Sequence, residues 1–194
     1  MTILLILKRK IIPNFYQLFE QGFRIKARVG CNIRELLCQQ LGVREDYLEN
    51  RIQTIFLNGK SVDDVNTAIL REGSILALSA AMPGLAGATL RKGGRFAPLR
   101  NRISHHTDQK SISQKEGMVV LKLFNLLVSE IGPIFLQQGI WLQGSKFKDL
   151  LDRQPEDFFS GILSAEVNDE KVDLDQFKKT NWEGKDIFLQ VKTG

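Results

Sequence analysis

One strand-turn-strand pattern occurs twice in this chain, about 110 residues apart, and it restricts the fold more than any other feature. The first copy reads Phe56-Leu57-Asn58-Gly59-Lys60-Ser61-Val62, then Leu70-Arg71-Glu72-Gly73-Ser74-Ile75-Leu76-Ala77-Leu78. The second reads Glu166-Val167-Asn168-Asp169-Glu170-Lys171-Val172, then Trp182-Glu183-Gly184-Lys185-Asp186-Ile187-Phe188-Leu189-Gln190-Val191. Each has a tight turn of residues that tolerate positive φ, a connector, an acidic-glycine turn and a closing apolar strand. A chain of 194 residues is long enough for two small domains. The repeat places them at 1–87 and 118–194, with a connector over 88–117.

With 43% hydrophobic and 25% charged residues, each half has enough apolar material for a core, which excludes a mainly disordered chain. Charge is distributed unevenly. Residues 1–87 carry 11 Lys/Arg against 8 Asp/Glu, residues 88–117 carry 7 against 2, and residues 118–194 carry 9 against 12. The connector is therefore the basic segment, and the two halves have opposite signs.

The two cysteines, Cys31 and Cys38, are too few for a disulfide framework or a thiolate metal site, and their scarcity predicts a reducing, cytoplasmic setting. Ile3 to Leu7 is an apolar run whose charges, Lys8-Arg9-Lys10, follow it. That order and its shortness predict a buried strand in place of a signal peptide or membrane span.

Pro13 and Asn14 break the chain after this strand, and Phe15–Phe19 fits either a short helix or an irregular turn. Phe23, Ile25, Ala27 and Val29 alternate with Arg24, Lys26 and Arg28, the period of a half-buried strand. Asn32 with Glu35 forms a capping-box pattern ahead of a stripe of Ile33, Leu36, Leu37 and Leu41, and Gly42 ends that helix. A polar loop then leads to a strand over 52–57. The second half follows the same order: a strand over 119–124, Pro133, Gln138-Gly139 matching Gln21-Gly22, and a helix carrying Phe147, Leu150 and Leu151, with Ser145 as its N-cap. Pro155 stops that helix, and strands follow over 162–167 and through Ile187, Leu189 and Val191.

Strand, strand, helix, strand, short return, strand: the segment Asn58-Gly59-Lys60 to Leu76 resembles the C-terminal half of β-grasp proteins of the ubiquitin-like superfamily, nearest to the sulfur carriers of molybdopterin and thiamine synthesis. The resemblance covers roughly 2–82 and, more weakly, 119–194. It implies an α+β chain of two tandem β-grasp domains, each a mixed sheet packed on one main helix. In that fold the first and last strands lie parallel at the sheet centre, so Ile3–Leu7 is expected beside Ile75–Leu78. Carriers of this kind end in a Gly-Gly tail that threads into an adenylating enzyme. Gly93-Gly94 follow the closing strand here, but they are internal, so a tail would require cleavage after Gly94. The alternative is that both are linker glycines.

Arg91, Lys92, Arg95, Arg100 and Arg102 form a basic cluster with Phe96 and Leu99: a weak nucleic-acid contact, a solvated linker, or a strap docking on the acidic second domain. His105-His106 have no acidic or thiolate neighbour to complete a metal site. Asp63-Asp64, Glu156-Asp157 and Asp173 with Asp175 fall in expected turns or connectors, where carboxylates are normally solvated. No P-loop ending or dinucleotide fingerprint occurs, so neither cofactor nor metal is expected, nor a catalytic residue. The leading expectation is a non-catalytic protein that binds a protein partner. The alternatives are a carrier or modifier precursor cut after Gly94, with an adenylating enzyme as its partner, and weak nucleic-acid binding by the connector.

Overall fold

The computed structural model describes residues 1–81, 84–95 and 113–194. The chain is α+β, with parallel and antiparallel strand pairs. Strand β1 (Thr2–Leu7) is followed by a 3-10 helix over Arg9–Phe15 that contains Pro13, then by α1 (Tyr16–Gln21) and β2 (Phe23–Val29). The expected break at Pro13 is thus a tight helical turn, and the 15–19 region is helical. The Asn32 cap forms as expected: its Oδ1 accepts the Glu35 N–H at 2.8 Å and its Nδ2 donates to Glu35 Oε1 at 3.1 Å. The helix it opens continues as a π-helix over Glu35–Gln40, with Ile33, Leu36 and Leu37 fully buried.

Next come α2 (Glu45–Asn50), where the sequence reads as a polar loop, then β3 (Thr54–Leu57), β4 (Lys60–Ser61) and β5 (Ile75–Ser79). A glycine-containing helix α3 (Gly84–Leu90) runs across the expected boundary between the first domain and the connector at residues 87 and 88, followed by β6 (Lys115–Phe124), α4 (Leu126–Glu130), α5 (Gly132–Gln138) and β7 (Ile140–Gln143). The remainder is α6 (Gly144–Asp152), α7 (Glu156–Phe159), β8 (Ile162–Val167), β9 (Glu170–Val172), α8 (Leu174–Lys179) and β10 (Asp186–Thr193).

These elements form two compact units. The contiguous unit is residues 25–127, and the split unit joins residues 1–24 to residues 128–194. In the contiguous unit the strand order is β4-β3-β5-β6-β2, with β5 and β6 parallel from Ile75↔Val120 to Ser79↔Phe124. In the split unit the order is β7-β10-β1-β8-β9, with β1 and β10 parallel from Thr2↔Phe188 to Leu7↔Thr193 and β1 antiparallel to β8. Arg24, the last residue of the N-terminal segment, pairs with Trp141 of β7.

This corrects the tandem arrangement expected from the sequence. The parallel pairs exist, but their members are exchanged: β1 lies beside β10 and β6 beside β5. The boundaries 1–87 and 118–194 are therefore not those of the compact units. The physical reason is that β1, β5, β6 and β10 all bury alternate apolar side chains, such as Ile3, Leu5 and Leu7 in β1 and Ile187, Leu189 and Val191 in β10. A central parallel strand carries that signal without carrying the identity of its neighbour.

The contiguous core packs Ile33, Leu36 and Leu37 with the inward faces of its strands, Ile55, Leu57, Leu76, Leu78, Leu121 and Leu123, none more than 1% exposed. Each such side chain contributes about 1.5–3 kcal/mol by leaving water. In the split unit Trp182, 1% exposed, meets Phe147 edge-on at a centroid distance of 5.2 Å and Phe177 at 5.2 Å. Trp141 packs on Phe188 at 5.2 Å.

Helix α6 starts one residue before the expected cap. Gly144 donates its N–H to the Lys185 carbonyl at 2.8 Å, and a Cβ there would overlap the Trp182 carbonyl oxygen. Ser145 consequently lies inside the first turn and not at the N-cap, while Phe147, Leu150 and Leu151 are buried as expected.

Candidate functional site

Most of the sequence-predicted contact residues that fall within the described structure gather at one cleft of the contiguous unit. It measures about 720 Å³ and is lined by Arg91, Lys92, Gly93, Gly94 and Arg95 on one side. Glu49 and Asn50 at the end of α2, with Gln53 and Asp63, form much of the rest of its wall. Arg100 and Arg102 lie outside the described residues, as do Phe96, Leu99, His105 and His106.

The segment leaving α3 is fastened in place by backbone and side-chain bonds. The Lys92 amide donates to the Gln53 carbonyl at 2.7 Å, and Arg91 Nε donates to Gln53 Oε1 at 2.7 Å. Gly93 donates its N–H to Asp63 Oδ1 at 3.0 Å, and Gly94 donates to the Arg91 carbonyl at 3.1 Å. At Gly93 φ is +59°, a left-handed conformation that glycine adopts without Cβ strain. The Gly-Gly pair expected as a linker or tail is thus a hydrogen-bonded turn.

Lys92 is the best-buried cation of the site. Its side chain is 12% exposed, and Nζ donates to the Leu48 carbonyl at 3.0 Å and lies 3.7 Å from Glu49 Oε2. Burial pushes the Lys92 pKa below the usual ammonium value, and the Glu49 carboxylate opposes that shift. Glu49 is held below the usual carboxylate range, first by its hydrogen bond from Arg34 and then by the charge of Lys92. Arg34 also pairs with Glu45, so one guanidinium organises two of the three acids of α2. The cleft consequently carries the cations of residues 91–95 together with Glu49 and Asp63, a surface of both signs.

Glu49, Asn50 and Gln53 carried no signal as site residues, and Asp63 stood out only as half of an acidic pair. The usable clue was Glu45 and Asp46 at the start of a helix with a single buried anchor, Leu48. Three of the other acids singled out in the sequence have local partners. Asp64 Oδ1 accepts the Asn66 N–H at 2.8 Å, Asp173 caps α8 through the Gln176 N–H at 2.7 Å, and Glu156 pairs with Lys178 at 3.1 Å.

Burial pushes the Cys31 thiol up, and burial together with Glu45 pushes Cys38 up to about 11, which disfavours the thiolate a nucleophile requires. Among the described residues no group of three or more His, Cys, Asp and Glu side chains is placed to hold a metal ion, and no helix is long and apolar enough to cross a membrane. Comparison with known proteins returned no matching family model, no matching curated protein and no matching solved structure.

Proposed function

We propose that this chain is a non-catalytic, ubiquitin-like interaction protein that holds a protein partner in the mixed-charge cleft of its contiguous unit. The order β4-β3-β5-β6-β2 around one main helix supports a β-grasp reading in which β6, arriving from later in the chain, takes the place of the first strand. Fold alone does not assign function, so the site carries the reading.

The decisive observation is the pairing of charge in the cleft. Lys92 is engaged by Glu49 and the Leu48 carbonyl, and Asp63 lines the same cleft, its Oδ1 accepting the Gly93 N–H. A phosphate backbone is best held by a single sign of charge, and two carboxylates repel it. A protein surface carries both signs and backbone groups, which this cleft complements. Asn50 and Gln53 add neutral hydrogen-bonding side chains to the wall.

A photo-crosslinking residue at position 95 of the full chain, irradiated in extract of the native cell, tests this. The expected product is a discrete protease-sensitive adduct that is lost in Asp63→Lys and in Arg91→Glu. A nuclease-sensitive adduct, or one indifferent to both substitutions, would overturn the reading.

The carrier alternative meets a specific constraint. Cleavage after Gly94 separates β5 from its parallel partner β6 and β1 from β8 and β10. Such a cut therefore produces two fragments held by strand pairing, in place of a free modifier. Intact-mass measurement after denaturation detects this: two masses joining at Gly94 favour a partnership with an adenylating enzyme, and one full-length mass removes it.

A further inference from the structure

A second concavity of the contiguous unit differs in kind from the polar cleft and shares no residue with the 91–95 segment. It lies where β3, β5 and β6 come together, has a volume of about 300 Å³, and is walled by Phe56, Ala77, Leu78 and Phe124. Its polar lining is confined to Thr54, Ser79 and Asn125, so all seven lining residues are uncharged. Strand register explains the cluster: Thr54 is opposite Ser79, Phe56 is opposite Ala77, and Ser79 is beside Phe124.

Two of the three polar groups satisfy each other. Asn125 Nδ2 donates to Ser79 Oγ at 2.7 Å, from a residue in the left-handed region at φ +55°. Thr54 is different. It is 1% exposed, and its Oγ1 has no hydrogen-bond partner. A buried hydroxyl without a partner costs about 1–3 kcal/mol, and an apolar residue of the same shape would avoid that cost. A ligand seated in the pocket would supply the missing partner. Because a hydroxyl both donates and accepts, a ligand oxygen suffices once χ1 moves to the staggered rotamer that turns the buried Oγ1 toward the pocket.

We propose that this pocket binds a small, uncharged, largely aromatic or aliphatic molecule carrying one hydrogen-bonding oxygen, with Thr54 as the polar anchor and Phe56 and Phe124 as the apolar walls. The volume stands at the lower limit of ordinary small-molecule sites, roughly 300 Å³, and matches a ligand of about two fused rings. The uncharged lining excludes a carboxylate or ammonium as the buried group, since neither would find a counter-charge.

The test uses the ¹⁵N-labelled full chain titrated with 2-naphthol and, separately, with naphthalene, which lacks the oxygen. The expected result for 2-naphthol is saturable shifts centred on the amides of Phe56, Ala77, Ser79 and Asn125, with Kd below about 1 mM. Thr54→Val should weaken 2-naphthol about fivefold and leave naphthalene within about twofold. Ala77→Phe, which fills the pocket from β5, should abolish both sets of shifts while the thermal midpoint is kept. Three results would each overturn the proposal: no saturable shift with either probe, shifts that survive Ala77→Phe, or equal weakening of both probes by Thr54→Val. If Ala77→Phe lowers the midpoint, Phe124→Trp serves as the second filling variant and is read by the same criterion. Loss of the cleft partner in the Asp63 and Arg91 variants leaves this titration unchanged, so the two proposals fail separately.

Discussion

The two Asn turns are nearly superimposable in chemistry and differ in what they hold. Asn58 has φ +50° and Asn168 has φ +50°, and each side-chain Oδ1 accepts a backbone N–H from the start of a neighbouring strand. For Asn58 that strand is β5, which follows it in sequence, and Ile75 N–H is the donor at 2.8 Å. For Asn168 it is β1, from the other end of the chain, and Thr2 N–H is the donor at 3.0 Å. The backbone bond runs the same way in both, from the Asn N–H to the Ile75 or Thr2 carbonyl at 2.8 Å. The turn therefore specifies a clasp and leaves open which strand is clasped. The glycines Gly22 and Gly139, with φ of +100° and +101°, repeat this equivalence at the ends of α1 and α5.

The largest expected effect comes from cutting the chain by sequence halves instead of by units. Residues 25–127 expressed alone should give a dispersed amide spectrum and a cooperative melt, whereas residues 118–194, lacking β1, should give neither. If residues 118–194 fold cooperatively by themselves, the exchange of central strands is wrong.

Next in size is the way each unit starts its main helix. The split unit begins α6 at Gly144 beneath the Trp182 carbonyl, and the contiguous unit uses the Asn32 side chain. Gly144→Ala should destabilise by about 3 kcal/mol through overlap with backbone, and Asn32→Ala by about 1 kcal/mol through loss of a cap. Chemical denaturation of the two variants measures the difference, and equal losses would contradict the close approach at Gly144.

A smaller effect sharpens the turn comparison itself. Asn58→Ala and Asn168→Ala each lose a clasping bond and a residue suited to the left-handed region, about 1–2 kcal/mol apiece. Matching losses support equivalent clasps; a negligible loss at Asn168 would mean that β1 is not held there.

The smallest effect separates the units by pH. Both cysteines belong to the contiguous unit, and Cys38 is pushed up to about 11 from 9.0. The unfolded chain releases that proton first, so stability is fully present below pH 9.0 and falls as pH rises toward about 11. Lys92 works in the opposite sense: its lowered pKa makes the unfolded chain bind the extra proton, so its contribution improves as pH rises. Cys38→Ala should therefore flatten the alkaline loss of amide protection in residues 25–127 and leave the split unit unaffected.

Local chemistry was readable from sequence where one residue determines the outcome. The Asn32–Glu35 box, the Phe23 to Val29 alternation, both Asn turns and the 162–167 strand occur at the positions their residues predict. Features set by distant residues were not readable. Helix α2 buries only Leu48, too little for a periodic signal, and α3 reads as a glycine-rich stretch because its sequence is Gly-Leu-Ala-Gly-Ala-Thr-Leu. The polar cleft was half visible: its basic rim shows as a charge cluster, but Gln53, Glu49 and Asp63 join it through tertiary contacts. The pocket at Thr54 left no mark, since a threonine in a strand is ordinary until its hydroxyl is found without a partner.

The pairing of β1 with β8 has a consequence for synthesis. The two strands are about 160 residues apart in the chain, so at about 5–20 residues per second a ribosome leaves β1 waiting roughly 8–32 s for its neighbour. During that interval Ile3 to Leu7 is an aggregation-prone segment, and Lys8-Arg9-Lys10 immediately after it are placed to act as charged gatekeepers.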